Sequence, residues 1–225
     1  MTGIDQNFSL DHIQDILERN MKSLVAAALV GAILIGAYYY VRVYRVEQDA
    51  RAHTTLTEVL AEVTRAGTRP EAWQDVEVAA RTAYHQHSSS DLAPYFLAIE
   101  AGAFIEQGKI DQGREQLKNA LASMPKKAPL TDFYALKLAR LELNTQDDAI
   151  RKEGLASLEK LAQDSKSLVH DEALYRLGKA YAQERKTDQA RKVFDQLVTT
   201  YKESKEPVAQ SVWAGLAQEQ IDRLA

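Results

Sequence analysis

The stretch DEALYRLGKAYAQERKTDQARKVFDQLVTTY, Asp171 to Tyr201, decides how the chain is read. Apolar residues recur in steps of three and four, at Leu174, Leu177 and Tyr181 and again at Ala190, Phe194 and Leu197, which is the spacing of two helices. The polar cluster Arg185 to Asp188 separates them, and so short a turn forces the two helices antiparallel. Gly178 and Ala190 have little or no side chain, so the backbones can approach closely there. Leu177, Tyr181 and Phe194 then fill the space around that contact.

This hairpin resembles a tetratricopeptide repeat, with Leu174, Leu177, Gly178, Tyr181, Ala190, Phe194 and Leu197 in the family's signature places. It departs at Arg185, where the family prefers glycine in the turn, and at Lys202, which replaces the usual closing proline. Upstream, PYFLAIEAGAFIEQGKIDQGREQLKNALASMP, Pro94 to Pro125, places Leu97, Ala101, Phe104, Gly108, Gly113, Leu117 and Ala120 at the same relative spacing. Between the two, FYALKLARLELNTQDDAIRKEGLASLEKLA supplies Leu138, Ala139, Gly154, Leu158 and Leu161, if the turn around Asp147 and Asp148 holds a few extra residues. The small residue of the first helix recurs at Ala101, Ala139 and Gly178, a period above the ~34 residues of the ideal repeat. The repeat-packing set is therefore Ala101, Ala139, Gly178, Tyr181, Ala190 and Phe194.

Working outward, VAQSVWAGLAQEQIDRLA after Pro207 reads as a single amphipathic helix that covers the last hairpin, since the end of a helical stack needs a cap. Residues 43 to 65 look continuous with the apolar segment before them. Residues 71 to 87, with Trp73, Val76, Ala80 and Tyr84, add a helix that completes a divergent opening hairpin. Breakers fall at Gly67 to Pro70, Ser88 to Ser90, Gln107 to Asp111, Pro125 to Pro129, Thr145 to Asp148, Arg185 to Asp188 and Ser204 to Pro207. No alternation of period two survives beyond a few residues. The expected fold is all-α: an N-terminal transmembrane helix, then a tetratricopeptide-like α-solenoid of helical hairpins with a C-terminal capping helix.

The transmembrane expectation rests on SLVAAALVGAILIGAYYYV, Ser23 to Val41, which has no charge and is bracketed by Lys22 and Arg42. At ~1.5 Å per residue it spans roughly 28 Å, close to the hydrocarbon thickness of a bilayer. Tyr38, Tyr39 and Tyr40 cluster at one end, where amphipathic rings favour the headgroup level. Small residues do not follow the apolar run, so the segment reads as an uncleaved anchor and not as a signal peptide. Arg19 and Lys22 before it, and Arg42, Arg45 and Arg51 after it, leave orientation nearly neutral by charge. Residues 8 to 20, with Phe8, Leu10, Ile13, Ile16 and Leu17 on one side, read as a short amphipathic helix entered through Ser9 or Asp11. It is either an interfacial lead-in or a docking peptide. The resulting organisation is a segment at 1–22, an anchor at 23–41, a juxtamembrane helix and opening hairpin at 42–90, and repeats with their cap at 91–225.

Composition removes many function classes. The chain has 225 residues, 45% hydrophobic and 27% charged, with 10 Gly and 5 Pro, which suits a globular helical protein and not a disordered or turn-rich one. A net charge of -4 gives no basic footprint for nucleic acid. Without cysteine there can be no disulfide, thiolate zinc site, cysteine nucleophile or lipidated cysteine. His85 and His87 point to different sides of a helix and read as a solvated helix end; His12, His53 and His170 are isolated. Asp147 and Asp148 fall in a turn, as solvated carboxylates usually do. Phosphate loops, nucleophile elbows and H-E-x-x-H are missing. No enzyme activity, cofactor, metal or small-molecule substrate is expected.

Mapped onto the repeat layout, Tyr95, Ala98, Ile105, Phe133, Leu136, Leu143, Tyr175 and Lys179 fall on or near the inner face formed by the first helix of each hairpin. These are the candidate partner-binding residues. They either line an apolar groove for extended chains or pack against a neighbouring helix.

The order of parts resembles the bacterial YfgM-like family, ancillary subunits of the SecYEG translocon. The stretches VEQDARAHTTLTEVL, PYFLAIEAGAFIEQGKIDQGREQLKNAL and DEALYRLGKAYAQERKTDQARKVFDQL carry the likeness over nearly the full chain. The resemblance implies a single-pass inner-membrane protein with a cytoplasmic N-terminus and a periplasmic repeat domain. Its implied partners are translocon subunits, periplasmic chaperones and unfolded clients. The same architecture would also serve a scaffold of another envelope complex, for cell division or secretion.

Overall fold

The structure, a computed structural model, describes residues 10–125, 128, 130–202 and 211–224, with backbone alone for 10–32, 41, 44, 45 and 202. Among these residues the chain is all-helical: nine α-helices and one single-turn 3-10 helix. They are α1 Leu10–Ala66, the 3-10 turn Pro70–Ala72, α2 Trp73–Gln86, α3 Ala93–Glu106, α4 Ile110–Ser123, α5 Thr131–Leu143, α6 Asp148–Gln163, α7 His170–Gln183, α8 Thr187–Lys202 and α9 Val212–Arg223.

The chain divides into two compact units after Arg51. In the first, Ile33, Leu34, Ile35, Tyr38, Tyr39, Tyr40, Val43 and Val46 are all exposed on α1. Among the described residues no helix is long and apolar enough to cross a membrane. The side chains of the first half of the expected anchor, residues 23–32, lie outside the described residues, as do those of the expected lead helix at 8–20. The backbone of α1 is one helix from Leu10 to Ala66, running through the positions of the expected lead, anchor and juxtamembrane segments.

In the second unit the hairpins α3–α4, α5–α6 and α7–α8 follow one another, and α9 packs on α8 and α7. Val59 and Ala66 of α1 share apolar clusters with Val76, Ala80 and Ala83 of α2 and Phe96 and Ala103 of α3, which makes α1–α2 the opening hairpin. Leu117 and Ala120 of α4 pack with Leu97, Ala98 and Ala101 of α3, and Tyr134, Leu138 and Leu141 of α5 cover them. The largest cluster joins α5 through α9 around Leu158, Phe194 and Leu197.

Close helix approach occurs at the small residues. A Cβ added to Gly113 would lie 2.6 Å from Ile105 Cγ1, one on Gly154 would lie 2.8 Å from Glu142 Cβ, and one on Gly178 would lie 2.5 Å from the Phe194 ring. Each contact joins the two helices of one hairpin. Ala101, Ala139 and Ala190 are fully buried at the facing positions.

Two turns share one geometry. In α3–α4, Gly108 has φ 76° and the Lys109 N–H donates to Phe104 O; in α7–α8, Arg185 has φ 60° and the Lys186 N–H donates to Tyr181 O. This left-handed helix ending satisfies carbonyls that the helix leaves unpaired. Arg185 adopts the conformation for which glycine is the usual residue. The α5–α6 turn differs: α6 starts a full turn earlier relative to Gly154, and Asp147 caps it by accepting from the Ala149 and Ile150 N–H groups at 2.8 and 3.2 Å.

Two expectations change. The break between α6 and α7, Asp164 to Val169, was not among the expected breakers. Its signal is present in Asp164 and Ser167, whose side-chain oxygens accept from the Lys166 and Val169 N–H groups in local turns. His87 is not a solvated helix end. It is 8% exposed, its Nε2 lies 3.1 Å from Thr55 Oγ1 of α1, and its ring lies 6.1 Å from that of Phe96. The hairpin partner across α1 removes it from water; His85 remains exposed.

Candidate functional site

The first helices of the three hairpins share a groove of about 340 Å³. Ile105 and Glu106 come from the end of α3. Phe133, Leu136, Lys137, Arg140, Leu141 and Asn144 come from α5 and the residue after it, and Glu172 from α7. Helical spacing explains the α5 contribution, because positions 133, 136–137, 140–141 and 144 follow one face in steps of three and four. Phe133 is 52% exposed and its ring meets Tyr134 edge-on at 5.5 Å, so a large apolar surface stands open at the rim. Burial holds the Lys137 ammonium below the ordinary lysine range, with Glu106 partly opposing that shift.

A second, smaller pocket of about 160 Å³ lies between α5 and α7. Arg140, Leu143 and Asn144 line one side, and Arg176, Lys179, Ala180 and Gln183 the other. Arg176 is held by Glu172 at 3.0 Å and sits over the Trp213 ring at 5.6 Å. Arg140 reaches the same carboxylate at 3.8 Å. Lys179 lies 6.0 Å from the centre of the Tyr175 ring.

The eight candidate partner-binding residues take different places. Ile105, Phe133 and Leu136 line the larger groove, with Leu136 forming buried floor, and Leu143 and Lys179 line the smaller one. Tyr95 is half-buried with its ring 6.5 Å from Tyr134. Ala98 is buried in the α3–α4 core. Tyr175 is 8% exposed, between Phe194 at 6.0 Å and Trp213 at 5.4 Å. The polar members Glu106, Lys137, Arg140, Asn144 and Glu172 were not anticipated, although their steps of three and four from Phe133 on α5 offered a signal for three of them.

Elsewhere in the stack, buried and half-buried carboxylates tie successive helices. Burial pushes Glu77 of α2 upward, but hydrogen bonds from Lys109, Gln107 and Arg81 outweigh it and hold the carboxyl below its ordinary range. Arg81 also donates to Glu100 of α3 at 2.7 Å, and Gln116 of α4 donates to the same carboxylate. Glu142 of α5 is 2% exposed; burial holds its carboxyl above the ordinary range even though Lys118 of α4 approaches to 3.2 Å. Tyr181 donates to Glu159 at 2.7 Å, and burial followed by that bond pushes the phenol up to about 12. Charges this well paired hold helices in place. Among the described residues no group of three or more His, Asp or Glu could hold a metal ion.

The arrangement matches known solved structures at low sequence identity. One is a crystal structure of nearly identical TPR-like repeats from a candidate kinesin light chain of Podosopora anserina. It aligns with a TM-score of 0.60 and 16% identity over 76% of this chain and 86% of that one. Another is BtubC (BKLC) from P. vanneervenii, with a TM-score of 0.56 and 12% identity over 79% of this chain and 82% of that one. At such identities the likeness concerns the fold. No curated protein matches the sequence. The family profile described as Tetratricopeptide repeat-like domain matches residues 15–218, most of the chain. The sequence match and the stacked hairpins agree, and the chain belongs to the tetratricopeptide repeat-like domain family.

Proposed function

We propose that this chain is a membrane-anchored protein-interaction scaffold without catalytic activity, acting as an ancillary translocon subunit that links SecYEG to periplasmic chaperones or emerging polypeptides. The observation that carries the interaction role is the groove between α3, α5 and α7, with Phe133 half-exposed over a buried Leu136 floor. Repeat solenoids bind polypeptides on the inner face of their first helices. Supporting the anchor, Ile33, Leu34, Ile35 and Tyr38 to Tyr40 are each at least 59% exposed in one run, as side chains facing lipid would be. In this reading the N-terminus is cytoplasmic, a single span crosses the inner membrane, and the repeats are periplasmic. Tethering raises the local concentration of the groove near the channel exit, so weak contacts suffice.

Topology and partners are tested together. Because the chain has no cysteine, single cysteines at Thr2 and Ala225 can be labelled in intact cells. An impermeant reagent reaching the periplasm is expected to label only Ala225→Cys. Affinity purification in mild detergent is expected to recover translocon subunits. Labelling of Ala225→Cys only after the inner membrane is opened removes the periplasmic role, and recovery of a different envelope complex replaces the translocon assignment.

A further inference from the structure

Exposed apolar side chains on α1 continue past the segment that lipid can cover, and this inference rests on the anchor reading above. The uncharged run ends at Val41, and Arg42, Arg45, Glu47, Asp49 and Arg51 follow. Among these charges Val43 and Val46 are 63% and 65% exposed. At ~1.5 Å per residue, Val46 and Ala50 lie ~8 and ~14 Å beyond Val41 along the helix. Lipid tails do not cover apolar side chains set among charges at that height. A protein surface can.

Tyr39, Val43, Val46 and Ala50 follow one another in steps of four, three and four, the ~3.5-residue period of a coiled-coil seam. With Arg42 and Glu47 they line one open furrow of about 420 Å³, wholly within the first compact unit. Arg42 flanks the seam on one side and Glu47 on the other, and both are exposed. Gly36 continues the seam toward the N-terminus. A Cβ there would meet nothing within 4 Å among the described residues, so no contact among them calls for the glycine. A second helix would, because small residues let helix backbones approach closely in a membrane.

Charge and topology select the occupant. A single-pass anchor inserts every copy in the same direction, so two copies meet as parallel helices. In a parallel coiled coil the residue just before one seam position faces the residue five further along on the partner, and Arg42 and Glu47 stand five apart. Two-fold symmetry makes this contact twice, each copy's Arg42 meeting the other's Glu47. Glu47 already accepts from Arg51 through Oε1 at 2.7 Å, and a carboxylate has a second oxygen for another donor. We propose that a second copy of this chain covers the furrow: two α1 helices pair in parallel through Gly36, Tyr39, Val43, Val46 and Ala50, with Arg42 and Glu47 bridging across on both sides. Pairing brings two repeat domains to one membrane site and doubles the grooves available to a single client.

The test uses the full-length chain in membranes of cells expressing it, where the absence of native cysteine lets each single substitution report alone. Val43→Cys, Val46→Cys and Ala50→Cys are oxidised with copper phenanthroline and compared with Gln48→Cys, on the opposite face of the helix. A parallel pair is expected to give a disulfide-linked band of twice the chain's mass at all three seam positions, roughly fivefold stronger than at Gln48→Cys. In Val43→Cys membranes, Arg42→Glu is expected to weaken the band about fivefold, and adding Glu47→Arg to restore it. Linkage at one seam position alone marks an antiparallel contact and overturns the inference. Equal linkage at Gln48→Cys, an adduct of Val43→Cys with another protein in place of the doubled band, or no linkage overturns it as well. A band that Arg42→Glu leaves unchanged, or that Glu47→Arg does not restore, removes the pairing across the seam and overturns it too. Release of the chain from membranes by alkaline carbonate overturns the anchor reading and the inference together. In chain that the membrane retains, the preceding failures overturn the inference alone.

Discussion

Gly178 of α7 lies so close to Phe194 of α8 that a Cβ on the glycine would sit 2.5 Å from ring carbon Cε1. That single contact sets the closeness of the third hairpin. Real side chains do not approach to this distance, and Phe194 is fully buried with the tilted Tyr175 ring 6.0 Å away, so the ring has little room to move. Gly178→Ala is therefore expected to destabilise by about 1–3 kcal/mol through overpacking, despite alanine's higher helix propensity. Gly102→Ala is the control: its added Cβ would meet only the Lys137 Nζ at 3.6 Å. It should gain roughly 0.5–1 kcal/mol. Thermal unfolding of both variants checks the pair; equal effects would remove the close-packing account of Gly178.

The left-handed turns supply a second comparison. Arg185 at φ 60° adopts a conformation that costs a side-chain-bearing residue about 1–2 kcal/mol, and Gly108 at φ 76° occupies the same place two hairpins earlier in the stack. Arg185→Gly should raise stability by about 1 kcal/mol or slightly less, because glycine also gains freedom in the unfolded chain. Gly108→Ala should lower it by a similar amount. Urea unfolding midpoints for the two variants are expected to move in opposite directions.

Acid unfolding should depend on Glu77. Its folded carboxyl is held below the ordinary 4.5, so its stabilisation is present above that value and is lost as pH falls toward the folded value. Glu77→Gln is expected to cost about 1–3 kcal/mol at neutral pH, by leaving Arg81 and Lys109 with one partner fewer. It should also flatten the loss of stability below pH ~4.5. Circular dichroism at graded pH reads both effects, and an unchanged acid limb would show that the Glu77 cluster does not control it.

Alkaline behaviour should depend on Tyr181. Its phenol is raised to about 12, so the folded chain keeps that proton while the unfolded chain releases it near the ordinary value of ~10. Stability contributed by the Tyr181–Glu159 bond is full below pH ~10 and is lost as pH rises toward 12. Tyr181→Phe is expected to remove a tyrosinate absorbance step near pH 12 and to weaken the pH dependence in that window.

Phe133 offers the cleanest functional variant. At 52% exposure it can become Asp without burying a charge, whereas Leu136 at 3% and Tyr175 at 8% cannot. Phe133→Asp should leave the melting temperature within a few degrees and reduce capture of soluble polypeptide partners by tenfold or more, on the order of an interface hot spot. Full capture by a folded Phe133→Asp chain would move the binding surface away from the groove.

The hairpins were legible in the linear sequence because helix periodicity and small-residue spacing are local properties. Ala101 with Gly113, Ala139 with Gly154, and Gly178 with Ala190 mark each crossing within about fifteen residues, and the extra turn residues near Asp147 follow from the wider middle spacing. Tertiary packing decided what periodicity leaves open, namely which apolar residues on the first helices stay exposed. Tyr175 and Phe133 sit on comparable helices, yet Trp213 of α9 covers the first, while among the described residues the second stays 52% exposed. Packing also paired Glu77 with Lys109 and Glu142 with Lys118, and placed His87 against Thr55, partners 32, 24 and 32 residues apart. Burial of a charge or a ring depends on which distant helix arrives opposite it, and no spacing along one helix carries that information.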